Sequence, residues 1–177
     1  MAALMYLRKA TFTDLPRILE IIEHAKAALK DRQINQWQAG EPNQTQFEDE
    51  IRQELCYILM ADQQVIGVAS ILATEDPGYA AITNGQWQSG STPYFSIHRV
   101  ALDSAFHGQH LGTQFLTLLV TAASLRGAHD LRIDTHPDNL AMQHMIQKVG
   151  FQYRGDIFIA NGPSPKRYAY QLLLNQQ

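Results

Sequence analysis

Apolar and polar positions change period several times along this chain, and each change marks an element. Alternation over Tyr6 to Ala10 predicts a short opening strand. Thr13 and Asp14 then supply N-cap chemistry, and Pro16 is tolerated in a first helical turn. Leu15, Ile18, Leu19, Ile22, Ala25 and Leu29 recur at helical spacing, which predicts an amphipathic helix from about Asp14 to Lys30. A polar loop with Trp37, Gly40 and Pro42 follows, then a more charged helix around Thr45 to Glu54. Cys56 to Ala61 and Val65 to Ala73 read as strands of a hairpin turning at Asp62-Gln63-Gln64. Phe95 to Leu102 is the next strand and Leu111 to Arg126 the next helix, with Leu111, Phe115, Leu118, Leu119 and Ala122 as its buried stripe. Leu131 to Thr135 reads as a strand, and Asn139 to Val149 as a helix with Met142, Met145, Ile146 and Val149 inward and Gly150 as its C′ residue. Strands around Gln152 to Ile159 and Arg167 to Leu174 close the chain. The order implies an α/β fold with one mixed, mostly antiparallel sheet flanked by helices.

The longest irregular stretch, Thr74 to Pro93, is rich in Gly, Pro, Ser and Thr yet holds Tyr79 and Trp87. Long ordered loops inside a compact domain are often functional, so this one is a candidate wall for a binding site. It carries Glu75 and Asp76 but no Lys or Arg, and aromatic faces can support a cation.

Composition narrows the classes. The chain has 177 residues, of which 45% are hydrophobic, enough for one domain over residues 1 to 177 with a substantial core. A net charge of -3 gives no basic field for a phosphate backbone, so nucleic acid is not expected as a partner. The N-terminus, MAALMYLRKA, meets Arg8 and Lys9 too early for a signal peptide, and LTLLVTAASL from Leu116 is too short to span a bilayer. No membrane association and a cytoplasmic location are therefore expected. The single Cys56 lies in an apolar strand and reads as a buried thiol. Most histidines fall between His98 and His144, but no pair has helical ligand spacing beside an acid, so no metal is expected.

The candidate chemistry lies between Phe95 and Phe151. A strand runs into the turn His107-Gly108-Gln109-His110-Leu111-Gly112, which opens directly into a helix. Free backbone N–H groups at such a helix start form an anion site, so a phosphorylated ligand is the first expectation. Downstream, Asn139 starts a second helix that ends in Lys148-Val-Gly150-Phe151. This arrangement resembles the acyl-CoA-binding half of the GNAT superfamily of N-acetyltransferases, and the element order resembles that fold over nearly the whole chain. The INQW stretch with Gly40-Glu-Pro, the IHRVAL strand and DTHPDN together resemble a bacterial subgroup of that superfamily.

The resemblance implies an acetyl-CoA-dependent enzyme moving an acetyl group directly to a primary amine. It implies cofactor contacts from His107, Gly108, Gln109, His110, Leu111, Gly112 and Thr113 to the pyrophosphate. It also implies contacts from the main chain of Val100 and Leu102, and from Asn139, to the pantetheine arm. The match is imperfect: His107 and His110 replace the usual Arg or Gln and Gly, and Ile146 stands where many relatives carry a tyrosine acid. His98 falls where relatives carry a carboxylate base, and an imidazole suits that role. Asp134 could orient such a base, or could pair with Arg132 or Arg99. Trp37, Glu75, Tyr79 and Trp87 are the expected acceptor-side residues, and a small cationic amine the expected acceptor. Two alternatives stay open: a non-catalytic acyl-CoA sensor, favoured by the missing tyrosine, and a peptide N-terminal acetyltransferase. A homodimer is also left open. A nucleotide hydrolase is set aside, because no P-loop is present.

Overall fold

The computed structural model describes residues 4–88, 93–106, 110–160 and 162–174. Strand β1 (Met5–Lys9) leads through a short 3-10 turn into helix α1 (Leu15–Asp31), then α2 (Gln44–Arg52). The hairpin β2 (Cys56–Ala61) and β3 (Gln64–Leu72) follows, then a one-turn helix α3 (Pro77–Ala80) inside the long loop. After it come β4 (Phe95–Leu102), α4 (Leu111–Leu125), β5 (Asp130–Thr135), α5 (Leu140–Val149), β6 (Gln152–Phe158) and β7 (Lys166–Leu173). All seven strands join one sheet in the order β1-β2-β3-β4-β5-β7-β6. Every pairing is antiparallel except β4 with β5.

Helices cover both faces. Ile18, Ile21 and Ile22 of α1 and Phe47 and Ile51 of α2 pack with Ile58 and Val68 on one side. On the other, Phe115, Leu116 and Leu119 of α4 and Ile146 of α5 pack with Leu59, Ile97 and Ile133. The α4 stripe differs in detail from the expected one: Leu116 and Ala123 are fully buried, whereas Leu118 and Ala122 are only partly covered. The face of α4 that meets the sheet is rotated from the one its apolar periodicity suggests, because nearly every turn of this helix offers an apolar residue. In α5 only Ile146 is fully buried, and Met142, Met145 and Val149 pack around its margin.

The structural event that shapes the site lies in β4. Val68 pairs with Ala101, but Ser70 already pairs with His98, so Arg99 and Val100 together face Ala69 in a β-bulge. Arg99 sits at φ 56°, the left-handed region that a non-glycine residue enters only when its surroundings hold it there. The hold comes from α2: the buried Glu50 carboxylate accepts from the Arg99 guanidinium and from the fully buried Ser70 hydroxyl. As a result β4 and β5 pair only over Phe95↔Leu131, Ser96↔Arg132 and Ile97↔Ile133. Beyond Ile97 the two parallel strands part, and the backbone of β4 from His98 onward has no strand neighbour on that side. The parting opens a cleft.

Candidate active site

The cleft has a volume of about 1160 Å³ and runs along the parted strands from the start of α4 to the loop between β6 and β7. At one end lie His110, Leu111, Gly112 and Thr113, with Val100 and Leu102 along the floor and Asn139, Met142 and Met145 opposite. His110, at φ 57°, turns the chain into α4 without capping it with its side chain, and no acidic residue occupies the first turn. The N–H groups there lack intrahelical partners and the helix dipole adds to their positive character. Lys148 of α5 brings its ammonium to 3.4 Å from His110 Nδ1, a cation at the same end that sequence reading had treated only as part of a helix terminus. His107, Gly108 and Gln109 lie outside the described residues.

Gly112 has a second reason to be glycine. A Cβ there would meet Met145 Sδ at 2.5 Å, so the small residue lets α4 and α5 approach. Asn139 caps α5 through its Oδ1, which accepts from Met142 N–H at 3.3 Å. Its Nδ2 donates to Gln36 Oε1 at 3.0 Å, tying the cap to the loop after α1. Ile146 is fully buried in the core and does not face the cleft at all.

His98, Asp134 and Asp76 lie at the other end. The His98 side chain is 21% exposed, enough to meet a ligand, and its Nδ1 lies 4.0 Å from Asp134 Oδ1. That is too long for a hydrogen bond but close enough for the carboxylate to act electrostatically. Burial pulls the His98 pKa below the ordinary imidazole value, and the negative charge of Asp134 works against the shift. Asp134 pairs with neither Arg132 nor Arg99, whose partners are Asp130 and Glu50. Instead its Oδ1 accepts from Tyr79 Oη at 2.7 Å, which fixes the carboxylate beside the imidazole.

Of the four acceptor-side residues expected from sequence, only Trp37 lines the cleft. Tyr79 is fully buried, and its ring packs against Trp87, Tyr94 and His98. Trp87 donates from Nε1 to the Tyr79 carbonyl at 2.7 Å and lies over the Arg132 guanidinium, 4.2 Å from its ring centroid. The cation these aromatics meet is therefore the protein's own. Glu75 is exposed and away from the cleft, where Asp76 is found instead. The described part of the long loop is tied to the two last strands, Thr83 bridging Asp156 of β6 and Gln88 N–H donating to Gln171 Oε1 of β7 at 3.0 Å, and of it only Asp76 lines the cleft. The cover is formed by the α1–α2 loop and the β6–β7 loop, which meet where a Cβ on Gly162 would lie 3.7 Å from Ala39 Cβ.

Two other groups can be judged as nucleophiles. Cys56 is buried, and burial together with the Glu50 charge pushes its thiol up to about 12, so it stays protonated near neutral pH. Ser164 lies 2.7 Å from His136 Nε2, but His136 Nδ1 accepts from Asp138 N–H at 3.1 Å. The ring proton is then on Nε2 and donated to Ser164, the reverse of what a base would do. Among the described residues no group of three or more His, Cys, Asp or Glu could hold a metal ion, and no helix is long and apolar enough to cross a membrane.

A splayed parallel strand pair beside an uncapped helix start is the architecture of an acyl-CoA-dependent acyltransferase. The acetyltransferase (GNAT) family model matches residues 19–151, and the chain belongs to that family. A GNAT-family acetyltransferase of Streptococcus agalactiae superposes with a TM-score of 0.89 at 29% identity, over 97% of this chain and 96% of that one. The uncharacterized N-acetyltransferase YesJ of Bacillus subtilis is 22% identical over 153 residues, 85% of this chain and 83% of its own. The Salmonella typhimurium protein yncA, solved with its cofactor acetyl-CoA, shares the fold at a TM-score of 0.69 and 20% identity, over 98% and 95% of the two chains.

If His98 is the working base, the acid limb of kcat/KM against pH should lie below ~6.5, the ordinary imidazole value. Burial lowers the His98 pKa, so its neutral form persists to lower pH. Asp134→Asn removes the charge that opposes this, and the limb should move lower still. A limb at or above the ordinary value, unmoved by Asp134→Asn, would remove His98 from the assignment.

Proposed function

We propose that this enzyme moves the acetyl group of acetyl-CoA directly to a primary amine of a small molecule, with His98 taking the proton. The observation that carries the reading is the bulge at Arg99, which exposes the main chain of β4 inside a cleft running from a helix start to a half-buried imidazole. His110 to Thr113 and Lys148 would hold the pyrophosphate, and the main chain of Val100 and Leu102 with Asn139 the pantetheine arm. The residues fit the group: the first turn of α4 carries no acidic residue, and the strand backbone past Ile97 is unpaired on the cleft side.

Acetyl-CoA supplies the acetyl group as a thioester, so an amide forms on the acceptor nitrogen while the carbon–sulfur bond breaks and CoA leaves as a thiolate. An amine of pKa ~10 must first lose a proton, and a neutral His98 can accept it, directly or through a water; the second proton that the nitrogen sheds as the tetrahedral adduct collapses goes to solvent or to the departed thiolate. Asp134, held by Tyr79, then stabilises the imidazolium. A thiol of pKa ~8.5 leaves acceptably without a proton donor, consistent with an aliphatic residue at 146. The protonated Cys56 and the inverted Ser164–His136 bond favour direct transfer over a covalent carrier. A small acceptor is favoured by the two loops that meet over the cleft, since an N-terminal peptide needs a groove open at both ends. A cytoplasmic single-domain enzyme is the setting this chemistry suits.

The test is release of free CoA from acetyl-CoA across a panel of amino acids, polyamines, aminoglycosides and N-terminal peptides. Release with small amines and acetylated products by mass is the expected result. Binding of acetyl-CoA with no release for any acceptor would support the sensor reading, and acetylation of peptides alone would overturn the small acceptor.

A further inference from the structure

The cleft holds a cation that the chemistry above does not use. Arg167, on β7, is 4% exposed, lines the cleft and has no ion pair among the described residues. Its Nη1 donates to the main-chain carbonyls of Ser164 and Lys166, both at 2.7 Å. Nε and Nη2 have no partner among the described residues, and neither is a sealed polar atom. Three of the five guanidinium N–H donors are thus left open to the cleft, where a carboxylate can accept from them. The other arginines and lysine of the cleft are placed differently: Arg99 is committed to Glu50, Lys148 stands at the α4 end, and the exposed Arg32 donates to the Ala28 carbonyl at the end of α1.

Register fixes where this cation stands. Asp134 is opposite Ala169, so Arg167 is its diagonal neighbour on the same face of the sheet, roughly 7 Å away. Both side chains leave the same face of the sheet and line the same cleft, so one short amino-carboxylate can hydrogen-bond to both. Ser164 adds a second donor: its oxygen accepts the His136 Nε2 proton, which leaves the Ser164 O–H hydrogen free to point elsewhere. His136 is itself held neutral, since burial and the nearby Arg167 charge both lower its pKa.

We propose that the acceptor is an amino-carboxylate, a free amino acid or close analogue, whose carboxylate is received by Arg167 and the Ser164 hydroxyl while its amine faces Asp134 and His98. This rests on the acetyl-transfer reading for its chemistry, but not for its binding. It also narrows the simple cationic amine expected from the loop composition, because Glu75, Tyr79 and Trp87 of that loop do not line the cleft and Asp76 alone of its acids does.

Calorimetry on the protein saturated with CoA, which cannot turn over, tests the site itself. A panel of free L-amino acids is compared with the matched carboxamides and decarboxylated amines, alongside spermidine and kanamycin. At least one free acid should bind about 100-fold more tightly than its carboxamide, and Arg167→Met should remove that preference. Arg167→Lys should retain a part of it. Should Arg167→Met fail to fold, Ser164→Ala keeps the main-chain contacts of Arg167 and should weaken the free acid about fivefold without changing the carboxamide. No binding by any free acid, equal binding of the carboxamides, or a preference that survives Arg167→Met would overturn the proposal. Binding that depends on Arg167 without any acetylated product would uphold the carboxylate site and instead count against acetyl transfer.

Discussion

Replacing His98 by alanine is expected to lower kcat about 100-fold or more while leaving acetyl-CoA affinity nearly unchanged. That is the usual scale of a positioned base. The split follows from the geometry: His98 lies at the acceptor end of the cleft, whereas His110 to Thr113 and Lys148 lie at the other. Its imidazole is buried enough to be neutral near pH 7 and exposed enough to reach an amine. Steady-state kinetics with titrating amine, together with calorimetry on acetyl-CoA, measures both halves. Unchanged kcat from pH 6 to 9 would reduce His98 to a ring packed on Tyr79.

The largest effect on stability should come from Glu50→Ala. The substitution strips the acceptor from Arg99 and from a fully buried Ser70 hydroxyl, and it releases the left-handed residue at the bulge. Removing one partner of a largely buried ion pair costs about 3 kcal/mol or more. For a chain of this size that corresponds to a fall in Tm of roughly 10 °C. Glu50→Gln, which keeps acceptor capacity, should cost less. Because the bulge is what parts β4 from β5, Glu50→Ala should also weaken acetyl-CoA binding, although Glu50 does not line the cleft. Wild-type affinity in a destabilised Glu50→Ala protein would show that the cleft does not depend on this anchor.

The elements were legible because their signals are local. The hairpin at Asp62, the cap at Asn139 and the left-handed Gly150 each follow from a few neighbouring residues. The bulge was not legible, because IHRVAL reads as an ordinary strand and the cause of its distortion, Glu50, sits about fifty residues away among several charges of another helix. Tyr79 and Trp87 looked like pocket aromatics because what they pack on is largely distant in sequence: Trp87 covers the buried Arg132 of β5, and Tyr79 packs on Trp87 and His98. Arg167 read as the start of a closing strand, and nothing near it in sequence discloses that it is buried with no carboxylate partner among the described residues. The helix start at His110 to Gly112 was visible as a turn opening into an apolar helix. The role of Gly112 against Met145 was not, since it depends on how two helices meet.

Whether the cleft opened by the β4 bulge is the acetyl-CoA site can be seen in a crystal structure of the protein with CoA. The pantetheine arm is expected against the main chain of Val100 and Leu102, the pyrophosphate at His110 to Thr113, and the thiol directed toward His98. CoA bound elsewhere, or with its thiol remote from His98, would contradict it.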